Sequence, residues 1–200
     1  MDLQPLLFDL PLAPKRPLPE GFRYQENLIT PDEERDLVAN FQDLPFKPYE
    51  HLGYFGNRRI AGFGWRQGDD GRMIETGEPI PDVLLPLLDK VAAFTGLARE
   101  TFSHALVTEY APGTGIGWHR DRPPAVAIAG VSLVSPCTFR LRRKAGDIWD
   151  RAAITAVPRS AYLMSGPARS AWQHSIPAVE ALRYSVTFRT VPRVGTGDRR

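Results

Sequence analysis

Two kinds of hydrophobic pattern divide this chain. In the first half apolar residues recur at helical spacing, with Leu37, Val38, Phe41 and Leu44 on one face. The start of that helix is written in Thr30-Pro31-Asp32-Glu33. Thr30 is the N-cap, Pro31 sits in the first turn where a missing N–H costs nothing, and Glu33 stands where a capping-box acid belongs. A second helix is predicted from Pro81 to about Thr95, with Val83, Leu84, Leu87, Leu88, Val91 and Phe94 apolar and Gly96 as its stop. Pro86 within it implies a kink or a later start. Residues 48–72, rich in Gly, aromatics and Arg, read as turns and short strands. From about residue 103 the pattern changes to short strands between Gly and Pro turns, at 104–111, 126–134, 137–142, 154–157, 160–165 and 183–190. Helices first and many short strands afterwards predict an α+β, mainly β domain. Its core is a sandwich or open barrel with the helices packed on one face.

Composition sharpens this picture in a few places. Prolines at 5, 11, 14, 17 and 19 disfavour helix and make residues 1–20 an extended arm. With 42% hydrophobic and 24% charged residues the remainder reads as one soluble globular domain. A net charge of +2 gives no bulk argument for nucleic acid, so a local basic patch must carry one. The run Arg140-Leu141-Arg142-Arg143-Lys144 and the tail Asp198-Arg199-Arg200 are the candidates, against the plain alternative of solvated charged faces. The single cysteine, Cys137, excludes an internal disulfide, fits a reducing compartment, and in its apolar setting reads as a buried structural thiol. Met1-Asp2 does not open a signal peptide and no stretch approaches 18 apolar residues. A cytoplasmic protein without membrane contact, and a monomer, is expected.

The candidate chemistry lies in three places. In Trp118-His119-Arg120-Asp121 an imidazole and a carboxylate are two residues apart, and on an extended segment they leave on the same side, able to hold adjacent positions of one metal. Such a short motif arises often by chance. In Arg183-Tyr-Ser185-Val-Thr187-Phe-Arg189 the polar residues share one face and Tyr184, Val186 and Phe188 the other. Either this is an edge strand with its polar face in water, or the face presents two guanidinium forks to an enclosed anion, which suits a dicarboxylate. His174 lies about one hairpin before Arg183 and has the same cavity within reach. Two His and one carboxylate make a facial triad with open positions, as non-haem iron(II) oxygenases use, although zinc also accepts such ligands. The paired arginines favour the oxygenase, whose cosubstrate is a dicarboxylate.

Over roughly residues 20–190 the sequence resembles the AlkB family of iron(II) and 2-oxoglutarate-dependent dioxygenases. The matching segments are Thr108-Glu-Tyr110-Ala-Pro-Gly-Thr-Gly-Ile-Gly-Trp-His119-Arg-Asp121, Val131-Ser-Leu, Ser165-Gly, Gln173-His174-Ser-Ile-Pro, and Arg183-Tyr-Ser-Val-Thr-Phe-Arg189. The resemblance implies a double-stranded β-helix (jelly-roll) core with N-terminal helices and a nucleotide-recognition lid at about residues 46–75. The single domain would span 21–192, with 193–200 a flexible basic tail.

By the same resemblance, His119, Asp121 and His174 bind iron and Arg183 takes the distal carboxylate of 2-oxoglutarate. Tyr110 and Thr108 contact the cosubstrate, Thr108 standing where the family usually has Asn, and Arg189 supports the end nearer the metal. Tyr54, Arg58 and Trp65 are the implied substrate contacts: Tyr54 and Arg58 belong to the lid segment that stacks on a flipped base and steadies the backbone, Trp65 is a further stacking candidate, and Tyr54 has as its alternative a packing role in the lid. Pro123 stands where some members carry an acid that contacts the exocyclic nitrogen of the target base.

The implied reaction is oxidative demethylation of 1-methyladenine or 3-methylcytosine type lesions in DNA or RNA. The alternatives are the same chemistry on a modified tRNA base or a protein side chain, and a module that binds nucleic acid without turnover. Gln4-Pro5-Leu6-Leu7-Phe8 resembles the peptide by which bacterial repair proteins dock on the sliding clamp, Pro5 being the mismatch.

Overall fold

The first helix begins where its capping box puts it. In α1 (Pro31–Ala39) the Thr30 hydroxyl accepts from the Glu33 N–H at 3.2 Å and the Glu33 carboxylate accepts from the Thr30 N–H at 2.8 Å. The helix buries Leu37, and a following 3-10 turn over Asn40–Asp43 buries Phe41. A second 3-10 turn, Asp82–Leu84, leads into α2 (Leu85–Thr95), so Pro86 lies in the first turn of a later-starting helix and causes no kink. Gly96, at φ 70°, ends it in the left-handed conformation a glycine adopts most cheaply. The Lys90 ammonium reaches the Glu33 carboxylate at 2.9 Å and ties the two helices together.

The computed structural model describes residues 17–51, 54–67, 73–75, 78–121 and 125–190. The strands are β1 (Phe22–Gln25), β2 (Lys47–His51), β3 (Tyr54–Gln67), β4 (Met73–Glu75), β5 (Phe102–Tyr110) and β6 (Ile116–His119). They continue with β7 (Ala127–Leu133), β8 (Cys137–Ala145), β9 (Ile148–Ala156), β10 (Ala161–Met164), β11 (Gln173–Ile176) and β12 (Arg183–Thr190), with a short α3 (Gly166–Ser170) before β11. A major sheet runs β1-β10-β7-β12-β5-β3-β2, with β4 on β3, and a minor sheet runs β6-β11-β8-β9. All the pairings are antiparallel. This is the mainly β jelly-roll expected from the sequence.

Two cores hold the layers. Leu37, Phe41, Leu84, Val91, Val107 and Phe188 fill the space between helices and major sheet, while Phe22, Ile128, Phe139, Leu141, Met164 and Trp172 fill the space between the sheets. Each such side chain contributes roughly 1.5–3 kcal/mol when fully buried. Cys137 is buried in the second core, and burial raises its thiol pKa, in keeping with a structural role. Among the described residues no helix is long and apolar enough to cross a membrane.

Two expectations need correction, and one open alternative is decided. Residues 48–72 contain, besides the short β2, a strand of 14 residues, β3, where only turns and short strands were expected. Glycines at 56, 62 and 64 hide its alternation, and pairing with both β2 and β5 supplies what local propensity does not. The strand expected at 154–157 starts at Ile148, because its first half is exposed and offers no apolar run. Of the two readings of β12's polar face, the enclosed one holds. β12 lies inside the major sheet between β5 and β7, with Arg183 and Ser185 buried.

Gly130 of β7 shows how closely the interior is fitted. It pairs with Tyr162 of β10, and a Cβ there would sit 2.3 Å from the Tyr162 Cζ and 2.4 Å from its hydroxyl. Gly130→Ala is therefore expected to displace that ring and destabilise the fold by about 1–3 kcal/mol. In urea denaturation Gly117→Ala, where no atom lies within 4 Å, serves as the near-neutral control.

Candidate metal and cosubstrate site

Strand pairing builds the first half of the site. β6 and β11 place His119 directly opposite His174, so both imidazoles leave the same face as cross-strand neighbours, with ring centroids 4.1 Å apart. β6 ends at His119, and Asp121 lies beyond it rather than on the extended strand. Its Oδ2 nevertheless comes within 3.5 Å of the His174 Nε2. Ligand atoms of His119, Asp121 and His174 all lie within 4.8 Å of one another. The His119 Nδ1 lies 2.8 Å from the Gly117 carbonyl, to which it donates as N–H, which leaves Nε2 free to accept a metal. His174 rests against Phe139, 5.3 Å away and 14° from parallel.

The charges of this group are set by its surroundings. Burial raises the Asp121 pKa, but the charge of Arg189, joined in the acid range by those of protonated His174 and His119, outweighs it and holds the carboxyl well below the usual range. Burial pulls His174 down to about 3, so its imidazole is neutral at physiological pH. One carboxylate and neutral imidazole nitrogen is the donor set a divalent iron or zinc ion takes. Arg189 grips the carboxylate from the other side, its Nη2 donating to the Asp121 Oδ1 at 3.1 Å. Its Nη1 lies 3.2 Å from both the Thr187 Oγ1 and the His104 Nδ1.

The second half of the site descends from the pairing of β12 with β5. Arg183 stands opposite Tyr110 and Ser185 opposite Thr108, which puts all four side chains on one face. Arg183 is 1% exposed, its Nε donates to the Ser132 Oγ at 3.3 Å, and its guanidinium carbon lies 5.0 Å from the Tyr110 ring centroid. Its Nη1 is buried and has no hydrogen-bond partner, and among the described residues no carboxylate pairs with it. A buried cation without a counter-charge is costly. A carboxylate of a bound molecule would supply both the charge and the missing acceptor, so these residues fit 2-oxoglutarate as they fit the metal.

Both halves open into a cavity of about 730 Å³ whose walls include Tyr49, Arg58, Thr108, Tyr110, Trp118 and Tyr162. Its size is that of a site for a cosubstrate with a second small group. Alternation along β3 turns Arg58 and Ile60 toward the cavity, while Arg59, on the other side, pairs with Glu109 at 2.7 Å. Arg58 stacks over Tyr49 at 3.7 Å.

The expected site residues fall into three groups. His119, Asp121, His174, Thr108, Tyr110, Arg189 and Arg58 surround the cavity, and Arg183 lies buried against Tyr110. Trp65, 41% exposed, does not line it. The side chain of Tyr54, residues 122–124 with Pro123, and the Gln4–Phe8 peptide lie outside the described residues.

Ser132, Phe139, Tyr49, His104 and Tyr162 were not assigned roles from the sequence. Burial drives the Tyr162 hydroxyl well above its ordinary pKa, so it faces the cavity as a neutral group. Ser132 stands in the Val131-Ser-Leu match, but its bond to Arg183 depends on strand neighbours the sequence does not display.

Comparison with known proteins agrees with this geometry. The family model described as the 2OG-Fe(II) oxygenase superfamily matches residues 21–189. An Arabidopsis thaliana protein named alkylated DNA repair protein ALKBH8 homolog is 27% identical over 195 residues, covering 84% of this chain and 54% of that protein. A Danio rerio protein named probable RNA/DNA demethylase ALKBH6 is 31% identical over 105 residues, covering 52% of this chain and 42% of that protein. The chain thus spans about half the length of these two relatives. The solved structure of OsALKBH1 superposes with a TM-score of 0.64 at 16% identity, covering 88% of this chain and 99% of its own, and shows the shared fold. The chain belongs to the 2OG-Fe(II) oxygenase superfamily, within its AlkB-like branch.

Proposed function

We propose that this protein oxidatively removes alkyl groups from nucleic-acid bases, of the 1-methyladenine and 3-methylcytosine type, in DNA or RNA. The observation that carries the reading is that one cavity of about 730 Å³ is walled both by His119, Asp121 and His174 and by Tyr49, Arg58, Tyr110 and Trp118. Flat rings and a guanidinium in the same cavity as the metal-ligand group suit a planar, unstacked base. The names of both relatives include DNA, so DNA is the polymer taken first.

When bound, iron(II) with 2-oxoglutarate and O2 supplies the oxidation of an N-alkyl carbon, from which a methyl leaves as formaldehyde while the cosubstrate leaves as succinate and CO2. The chain's own work is positional. His119, Asp121 and His174 would hold the metal, with Arg189 fixing the carboxylate. Arg183, oriented by Ser132 and covered by Tyr110, would neutralise the far carboxylate of the cosubstrate in a site closed to water. A purely binding module has no physical use for a buried guanidinium without a counter-charge, its Nη1 left without an acceptor, beside three metal-ligand groups.

The test is incubation of anaerobically purified protein with iron(II), ascorbate, 2-oxoglutarate and O2. Oligonucleotides carrying 1-methyladenine or 3-methylcytosine are supplied as single- and double-stranded DNA and as RNA. Mass spectrometry should show methyl-to-hydrogen exchange in step with succinate. Succinate without demethylation would redirect the reading to another acceptor, a modified tRNA base or a protein side chain. Absence of both from iron-loaded protein would contradict it.

A further inference from the structure

The outward face of the minor sheet carries guanidinium and indole groups in alternation. Phe139 and Leu141 of β8 point into the core, so Arg140 and Arg142 point out, and Trp149 and Arg151 of β9 do likewise. The Arg140 guanidinium lies 5.1 Å from the Trp118 ring centroid, and that of Arg142 lies 4.3 Å from the same ring and 4.4 Å from the Trp149 ring. One stack therefore runs Arg140, Trp118, Arg142, Trp149. Each arginine is oriented through its Nε, Arg140 by the Ser175 Oγ at 3.0 Å and Arg142 by the Gln173 Oε1 at 2.7 Å.

The charge on this face is not balanced within the fold. Arg142 stands directly opposite Arg151, and Lys144 lies two pairs beyond on the same face, opposite Trp149. Like charges opposite one another across a sheet are destabilising. Among the described residues no carboxylate pairs with Arg140, Arg142, Lys144 or Arg151, while the acid of β9, Asp150, is bound to Arg143 at 2.9 Å. A strongly cationic surface interleaved with flat aromatic rings matches a polyanion that also offers flat groups to stack. The ladder starts at the cavity, because Trp118 lines it and precedes the ligand His119. Trp149, 36% exposed, lies at the far end.

We propose that this ladder is the docking surface for single-stranded DNA flanking the base that enters the cavity. Phosphates lie along Arg140, Arg142, Lys144 and Arg151, and a neighbouring base stacks on Trp149. The proposal rests on the reading that the substrate is nucleic acid. Single strands are specified because a paired base has no open face for Trp149, whereas a duplex offers this surface phosphates alone.

The test measures fluorescence anisotropy of a labelled, short, unmethylated single-stranded DNA titrated with full-length, iron(II)-loaded protein. Duplex DNA and RNA of the same sequence form parallel arms. Trp149→Leu, which keeps an apolar group over Arg142 but loses the ring, should weaken single-strand binding about tenfold. The double variant Arg142→Gln with Arg151→Gln should weaken it by a similar factor. It should also flatten the logarithmic salt slope by about 1.4, as expected for two lost phosphate contacts on a single strand. Circular dichroism confirms that both variants are folded.

Wild-type affinity in both folded variants would overturn the ladder, even where the wild-type protein demethylates oligonucleotides. Tighter ladder-dependent binding of RNA or duplex would overturn the choice of single-stranded DNA. Failure of the wild-type protein to bind single-stranded DNA would also overturn the ladder, and only if joined to failed demethylation would it remove the substrate reading.

Discussion

Replacing Asp121 with alanine is expected to reduce turnover below detection and iron(II) affinity by at least 100-fold. The magnitude follows from what the carboxylate does. Loss of a group that merely orients a metal ligand typically lowers affinity by about 10–100-fold, and Asp121 offers the ligand atom itself. It is also the anionic member of the set, so its removal leaves Arg189 as an uncompensated positive charge beside the metal position. The Asp121→Asn variant separates these effects. It keeps an oxygen for the Arg189 Nη2, and so retains the fold, but loses the charge. Metal analysis after gel filtration, with succinate formation measured alongside, checks both. Full activity in Asp121→Ala would remove the metal assignment.

The second large effect is expected at Arg183. Its methionine variant should raise the KM for 2-oxoglutarate about 100-fold, in the range of about 2–5 kcal/mol that loss of one partner of a buried, hydrogen-bonded charge pair commonly produces. The stability effect should go the other way. In the protein without cosubstrate Arg183 is a fully buried guanidinium with no partner at Nη1, so an apolar side chain of similar length should leave the melting temperature unchanged or higher. A purely structural arginine would lower stability on removal and leave KM alone. Arg183→Lys tests geometry, because a lysine restores the charge without the bidentate fork and should recover only part of the affinity. Saturation curves for 2-oxoglutarate, with thermal unfolding of the same samples, decide between these roles.

The legibility of this chain in its sequence tracks whether the signal is local. The capping box at Thr30 and Glu33, the glycine stop at Gly96 and the alternation of Arg183 to Arg189 are statements about neighbours in sequence, and the structure contains all three. The convergence of His119, Asp121 and His174 was legible because residue types and a family pattern together constrained it, not because 55 residues of chain announce a contact.

What was hidden depends on pairing. β3 reads as irregular because its glycines interrupt the alternation, and it becomes a strand through β2 and β5. Ser132 matters only because β7 lies beside β12, and Tyr162 only because its ring folds over Gly130. The basic run at 140–144 was visible, but its interleaving with Trp118 and Trp149 comes from three separate strands. Trp65, expected as a base contact, is exposed on β3 and is not among the residues that line the cavity.

The central claim is that His119, Asp121 and His174 hold iron(II) next to a 2-oxoglutarate seat closed by Arg183. Its most direct measurement is anaerobic calorimetry, titrating 2-oxoglutarate into the iron(II)-loaded full-length protein and into its Arg183→Met variant. The structure predicts one binding site per chain in the wild-type protein and about 100-fold weaker binding in the variant, for loss of a buried charge pair. Absence of binding by the iron-loaded wild-type protein, or equal affinity in the two, would contradict it.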